Sequence, residues 1–352
     1  MLWRASNTHR NRETAMPTNR RFLLKRRPHG EPVPEDFELA SEAIPEAPAG
    51  GLVVRNHFAS LDPAQRGWMD DAPSYMPPIA LGDPVRATTV GRVHASDNPD
   101  FAVGDWVMGL NALEDYSQVM PGGFTSPIDV SLTDSPSKFL SAMGAVGLTG
   151  YFGLLEVAKP QPGEVLLVSG AAGAVGSVVG QIGKIAGCRT IGIAGGPEKC
   201  RRLIDDYGYD VAIDYKGKGV ATLAAEIRAA APEGVNIIFE NVGGDVMDAE
   251  LLNLAKHARI VLCGLISEYN APEKVGVRNL WQVLTQQATI HGYLIMDYAP
   301  RFAEAGKVMA QWMQDGRLRI DEDLQEGLEN AFPAFMRLFS GANTGKLVLK
   351  IA

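Results

Sequence analysis

Three glycines, Gly170, Gly173 and Gly176, follow the apolar run "EVLLVS" and lead into the segment "SVVGQIGKIAG". Between a strand and a helix, glycines at that spacing allow a tight turn, let backbone approach a bound anion, and let the helix pack on the strand. The helix that follows offers unpaired N–H groups and the positive end of its dipole to the anion. The chemistry is the holding of a dinucleotide pyrophosphate, and the residues placed to do it are Gly170, Ala172, Gly173, Ala174, Val175 and Gly176.

About one βαβ half-unit later, "IAGGPEKCRR" should carry the next strand to its end. An NAD site usually places an Asp or Glu there, bonded to the adenosine ribose. No acid lies between Thr190 and Pro197; Gly195 and Gly196 are followed by Lys199, Arg201 and Arg202. A carboxylate would repel a 2′-phosphate and cations would attract it. The missing acid and the added cations share one explanation, NADPH as cofactor. The competing reading of the cations is a solvated helix face.

The elements around these residues read as two textures. From about Arg20 to Pro136 the chain is rich in Pro and Gly, with short apolar runs such as "GGLVVRNHFASL", "TTVGRVHAS" and "GDWVMGL" separated by turn signals. That is the look of an all-β region with irregular loops. From about Ser137 the pattern changes. "SPSKFLSAMGAVGLTGYFGLLEVAK" has helical spacing. Six strands, "EVLLVSG", "RTIGIAGG", "VAIDY", "VNIIFENVGG", "ARIVLCGLIS" and "TIHGYLIM", then alternate with helices, including one over "DVMDAELLNLAKH". Such alternation makes a doubly wound parallel sheet. A long helix, "PRFAEAGKVMAQWMQDG", follows, and "TGKLVLKIA" is a final strand expected to return to the first domain.

With 352 residues two domains are expected, and 46% hydrophobic with 21% charged residues is the composition of a globular protein. A net charge of −8 argues against nucleic acid as a partner. Residues 165–183 carry no charge, but five glycines there weaken a lipid-exposed helix, so strand, turn and buried helix are expected instead of a membrane span. Three cysteines form no CxxC and no even framework, which suits a reducing, cytoplasmic setting. No secretory h-region precedes Met16; the Arg-rich start reads as a disordered extension over residues 1–15, with a transit segment as the alternative. No G-x-S-x-G occurs, so serine-hydrolase chemistry has no support.

The segments "SGAAGAVGSVVGQIGKIAGC", "GGPEKCRRLIDDYGYDVAIDYK", "IFENVGGDVMD", "LCGLISEYN", "IHGYLIMDY" and "GANTGKLVLKI" together resemble the zinc-independent medium-chain dehydrogenase/reductases. Within them the resemblance is to the leukotriene 12-hydroxydehydrogenase/prostaglandin reductase group, with its bacterial curcumin-reductase and plant double-bond-reductase kin. "FLLKRRPHGEPVPEDFEL", "SLDPAQRGWM" and "LGDPVRATTVGRV" match as well, so the likeness covers nearly everything after Met16. It implies a Rossmann domain at residues 137–312 and a mostly-β GroES-like catalytic domain at residues 16–136 and 313–352. It also implies a homodimer. A catalytic zinc is not expected: such sites need Cys and His ligands supplied chiefly by the first domain, and His57 and His94 have no Cys before them.

The implied activity is reduction of the C=C bond of an α,β-unsaturated ketone or aldehyde, with hydride delivered from C4 of the nicotinamide to the β-carbon. Negative charge then collects on the carbonyl oxygen, and hydrogen-bond donors aimed there lower the barrier. The resemblance assigns that role to a ribose hydroxyl and to Tyr269 of "ISEYN". Where relatives carry a pocket tyrosine after "DPYMR", this chain has Ala64, which implies a changed or wider pocket; Tyr75 is the nearest substitute. For the cofactor the resemblance adds Tyr215 beside Lys199, Asn241, Gly264, Ile266 and Tyr269, Leu294 over the nicotinamide, Asn343 from the other domain, and Met143 and Thr149 in the cleft. Plain structural roles remain open for these residues, Met143 and Asn343 above all. Quinone reduction, and a non-catalytic NADPH-binding protein, are the alternative functions.

Overall fold

The computed structural model describes residues 18–120 and 122–352; the extension read over residues 1–15 lies outside them. The chain opens with an antiparallel ribbon of β1 (Thr18–Leu24) and β2 (Phe37–Ala43). Then come β3 (Leu52–Ser60), the short helix α1 (Ala64–Trp68), β4 (Arg86–Ser96), β5 (Trp106–Ala112), β6 (Tyr116–Val119), β7 (Thr125–Pro127) and helix α2 (Ala145–Phe152). Alternation begins with β8 (Val165–Val168), α3 (Ala174–Ile185), β9 (Arg189–Ala194), α4 (Pro197–Asp205), β10 (Val211–Asp214), α5 (Val220–Ala230), β11 (Val235–Glu240), α6 (Gly244–Leu251) and β12 (Leu254–Leu262). The remainder is α7 (Ile266–Tyr269), α8 (Trp281–Thr285), β13 (Thr289–Gly292), α9 (Phe302–Gln314), β14 (Glu322–Glu326), α10 (Ala331–Ser340) and β15 (Lys346–Lys350).

Strands β8 to β13 form a six-stranded parallel sheet in the order β10-β9-β8-β11-β12-β13. The order reverses beside β8, and there the glycine turn emerges, at the point where ligands bind in such sheets. Leu166, Leu167 and Val168 are fully buried, as a strand covered on both faces requires. A seven-stranded sheet holds β14-β15-β3-β4-β5-β7, with β6 pairing β3. The C-terminal β15 lies antiparallel to β3, with Val348 opposite Ser60.

Two stretches depart from the helices expected. "DVMDAELLNLAKH" is helical only to Leu251, and its last four residues open β12. Asn253 ends the helix: its side-chain amide donates to the carbonyls of Ala249 (2.9 Å) and Ala224 (3.0 Å), in place of a continuing turn. "SPSKFLSAMGAVGLTGYFGLLEVAK" is not one helix. A tight turn over Pro136–Leu140 is separated from α2 by Ser141 (φ −113°, ψ −93°). The hydroxyls of Ser137 and Ser141 both donate to Glu322 of β14 (2.7 and 2.6 Å), which holds the break open. The strand expected over "TIHGYLIM" stops at Gly292. Among the described residues, no helix is long and apolar enough to cross a membrane.

Candidate functional site

The turn after β8 is built by its glycines. Gly170 sits at φ +58°, a left-handed conformation that costs a residue with Cβ. A Cβ on Gly176 would collide with the carbonyl oxygen of Gly170 and come within 2.7 Å of Ala171 Cα, so the helix can approach the strand only there. Gly173 precedes α3 with no side-chain cap, which leaves the amides of Ala174, Val175 and Gly176 for an external partner. Ala172 is buried behind the turn. A backbone bridge joins Gly173 to Gly345, so the C-terminal segment "GANTGK" meets the glycine turn directly.

At the end of β9, Gly195 lies under the side chains of its neighbours from β10. A Cβ there would stand 3.1 Å from Tyr215 Cε1 and 3.1 Å from Lys216 Cε. Asp214 organises this edge: its carboxylate accepts from the amides of Gly196 (2.7 Å) and Lys216 (3.0 Å). Lys199, in the first turn of α4, has its pKa lowered, first by burial and then by the charges of Lys216 and Arg202. Asp323 offsets part of this, but neither lysine forms an ion pair among the described residues, and repulsion between them is relieved by an anion placed between them. The cations expected from "KCRR" separate in the structure. Arg202 is bound to Asp321 (2.6 Å) and Asp206 (3.1 Å), so its charge is already matched, and Arg201 is exposed. Lys216 takes the place assigned to them. It directly follows Tyr215 in "IDYK", and a cation off the adjacent strand end was the signal for it.

Asn241 follows β11. Its side-chain amide donates to the Ser169 carbonyl (2.8 Å) and its backbone amide to Ser169 Oγ (2.9 Å), which fixes it beside the glycine turn. Its own carbonyl accepts from Ile266 N–H (3.2 Å). Beneath this loop, Glu240 Oε1 accepts from the amides of Val242 (2.5 Å) and Gly243 (2.6 Å). Glu240 and Glu250 are both fully buried. Glu240 Oε2 and both Glu250 oxygens have no hydrogen-bond partner among the described residues. Burial, then the facing Glu240 carboxyl, raises the Glu250 pKa well above the usual carboxylate range, which favours its protonated form.

Tyr269 closes α7 with its hydroxyl turned back toward Gly264 and Leu265. Leu265 N–H donates to Tyr269 Oη (3.2 Å), and a Cβ on Gly264 would lie 3.1 Å from that oxygen. Burial raises the Tyr269 pKa, with smaller contributions from Cys263 and Tyr75. Tyr75 is half exposed, edge-on to Trp68 with ring centroids 6.3 Å apart. Ala64 begins α1, whose Trp68 supplies the aromatic wall on this side. The segment is anchored by Lys346, almost fully buried, whose Nζ donates to Asp62 Oδ1 (2.9 Å) and to the Leu61 carbonyl (2.8 Å). Sequence reasoning passed over Lys346 as one more residue of the last strand.

The remaining expected residues are placed as follows. Tyr293 Oη donates to the carbonyl of Thr149 (2.7 Å), so α2 is tied to the end of β13. Leu294 follows that strand and is 40% exposed. Met143 is buried, with its methyl 3.4 Å from a Cβ built on Gly306 of α9, a core position. Asn343 is buried and its amide donates to Gly345 carbonyl (3.0 Å), a turn bond next to the Gly173 bridge. Among the described residues no group of three or more His, Cys, Asp or Glu gathers as metal ligands would.

Comparison with known proteins bears on this geometry. Residues 20–126 match the family model described as the N-terminal domain of oxidoreductase, and residues 174–311 the one described as zinc-binding dehydrogenase. The chain is 41% identical to the NADPH-dependent curcumin reductase of Escherichia coli, over 95% of this chain and 97% of that one. It is 36% identical to the NADP(+)-dependent 2-alkenal reductase of Nicotiana tabacum, over 95% and 98%. The crystal structure of CurA from Vibrio vulnificus in complex with NADPH superposes with a TM-score of 0.89 at 40% identity, over 95% of this chain and 99% of that one.

Proposed function

The chain belongs to the zinc-independent medium-chain dehydrogenase/reductases, in the curcumin-reductase subfamily, and from that premise we propose that it is an NADPH-dependent reductase of the C=C bond of α,β-unsaturated ketones and aldehydes. The observation that carries the reading is the half-buried Tyr269 hydroxyl at the carboxyl edge of the parallel sheet, beside Gly264. The residues present fit the cofactor. The close approach of α3 to the turn at Gly176 sets the uncapped amides of Ala174, Val175 and Gly176 at the helix start, where they would donate to its pyrophosphate. Lys216 and Tyr215, which stand beside Gly195, and Lys199, whose charge couples to Lys216, would hold the 2′-phosphate.

When bound, NADPH supplies the hydride that goes to the substrate β-carbon. Tyr269 donates its proton in a hydrogen bond to the substrate oxygen on which charge gathers. Because Leu265 N–H already occupies a lone pair of Tyr269 Oη, the O–H is oriented outward before substrate arrives. Tyr75, Trp68 and the loop at Gly30, close to the Asn270 carbonyl, wall the substrate space. Asn241, Gly264, Ile266 and Leu294 line the cofactor side.

The division into residues 16–136 with 313–352, and residues 137–312, belongs to the same reading, supported by apolar clusters around Leu24 in the first and Ile238 in the second, while a third, with Val90 and Val348 beside Leu166 and Phe239, joins the two. So does a homodimer. Strand β13 ends the parallel sheet with every residue exposed, and Trp281 (68%) and Leu284 (64%) of α8 are exposed close by in sequence. A second copy pairing along that edge would satisfy it. The three cysteines are all free, as a cytoplasmic setting favours.

NADPH oxidation is to be measured with a simple enone, with a quinone and with neither. Turnover with the enone supports the proposal. Turnover with the quinone alone makes it a quinone reductase, and cofactor binding without turnover makes it a binder.

A further inference from the structure

Away from the cleft, Arg55 of β3 and Arg92 of β4 are directly opposed across the antiparallel pair, both exposed on the same face. Like charges in that position are unfavourable. Neither forms an ion pair with a carboxylate among the described residues. Two acids on the loop that follows β4 are turned to backbone: Asp97 accepts from Gly50 N–H (2.8 Å) and Asp105 from Ala102 N–H (2.8 Å). In a chain of net charge −8 this leaves a local positive site. It is also concave. A depression of about 350 Å³ is lined by Arg55, His57, Arg92 and His94, with Val93 and Val103. Trp106 of β5 supports the cluster: the Arg92 guanidinium lies 4.8 Å over its ring, and the His57 ring is 5.0 Å away.

We propose that this depression is a second ligand site that binds a phosphate-type dianion, free or as the phosphoryl group of a small metabolite, between Arg55 and Arg92. Each guanidinium presents a planar fork of donors that matches two oxygens of such an anion. The groups facing His57 are Arg55 on its own strand, Arg92 and His94 on β4, Trp106 on β5, and, on its backbone carbonyl, the amides of Ile351 and Ala352, the latter carrying the terminal carboxylate. Burial first, then Arg55 and Arg92, lower the His57 pKa, so the ring is neutral at neutral pH and offers one N–H donor. An anion that offsets the arginines lets His57 take up a proton, so binding and protonation reinforce each other. The volume suits a small molecule.

The full chain, saturated with NADPH so that the cofactor cleft is filled, is titrated with inorganic phosphate and separately with glycerol phosphate. Ionic strength is held constant with sodium chloride. Binding is read by calorimetry and by the ring signals of His57. The expected result is one equivalent bound and an upward move of the His57 titration midpoint. Arg55→Gln and Arg92→Gln should each weaken binding about tenfold or more. Tighter binding of the ester assigns the site to a metabolite, and equal binding assigns it to free phosphate. Without anion, Arg55→Gln should melt no lower than wild type, because the like-charge contact is gone. No saturable binding, or variants that bind as tightly as wild type, would overturn the proposal. So would a variant that only loses stability.

Discussion

Leu265 N–H donates to the hydroxyl oxygen of Tyr269 at 3.2 Å, from a position four residues earlier in the same short segment. The bond uses an acceptor site of the phenol and leaves its proton to be given elsewhere. A donor that matters while charge develops should act on kcat more than on KM. A main oxyanion donor is worth roughly 10²–10³ in kcat. Here a cofactor hydroxyl shares the task, so Tyr269→Phe is expected to lower kcat about 10–100-fold. NADPH affinity, measured separately, should hardly change. Since burial raises the Tyr269 pKa above its ordinary value, the wild-type rate should show no loss from tyrosine ionisation below about pH 10.

In the proposed function, cofactor choice rests on Lys199 and on Lys216, which stands beside Gly195. Charge-assisted contacts contribute about 1.5–3 kcal/mol each, so NADPH should bind more tightly than NADH by roughly 2–3 kcal/mol. Lys199→Ala or Lys216→Ala should cut that preference about tenfold or more. The lowered Lys199 pKa gives the sign of the pH effect. The charged amine favours the phosphate, so the preference is lost as pH rises through a value below that of an ordinary lysine. Fluorescence titration of both cofactors across pH checks this; equal affinities at neutral pH would remove Lys199 from the site.

The Glu240–Glu250 pair predicts how stability follows pH. Glu250 keeps its proton in the folded protein, whereas in the unfolded chain it loses it above about pH 4.5. Its contribution is therefore fully present in acid and falls as pH rises from there. Glu250→Gln stays neutral without that loss, so it should match wild type in acid and exceed it at pH 8 in thermal melts. Glu250→Ala should cost about 1–3 kcal/mol, by removing the group that faces Glu240 and leaving a cavity behind.

Activity should survive dialysis against a strong chelator, because neither the sequence spacing nor the side-chain clusters among the described residues supply a ligand set. Elemental analysis that found stoichiometric zinc, with activity lost on its removal, would contradict the proposed chemistry.

The parts of this fold that could be read from sequence are those whose cause is local. Leu166 to Val168 is an unbroken apolar run because both faces of β8 are covered, and Gly170, Gly173 and Gly176 are spaced by the turn they make. What escaped depends on partners distant in sequence. Asn253 stops α6 by reaching Ala224 on α5, and nothing in "LLNLAKH" tells it from a helical asparagine. Arg202 looked free until Asp321 was seen beside it. Lys346 is one residue of an ordinary strand until Asp62 and the Leu61 carbonyl close around it. Tyr269 and Asn241 were named only through the family resemblance; the backbone contacts that fix them arise when the ends of β11 and β12 come together.

The most direct test of the central claim follows the hydride itself. The enzyme is given a simple enone and NADPH deuterated at C4 of the nicotinamide, and the product is analysed by NMR. The account predicts a saturated ketone with deuterium on the former β-carbon. Deuterium on the carbonyl carbon of an allylic alcohol, with the double bond intact, would contradict it.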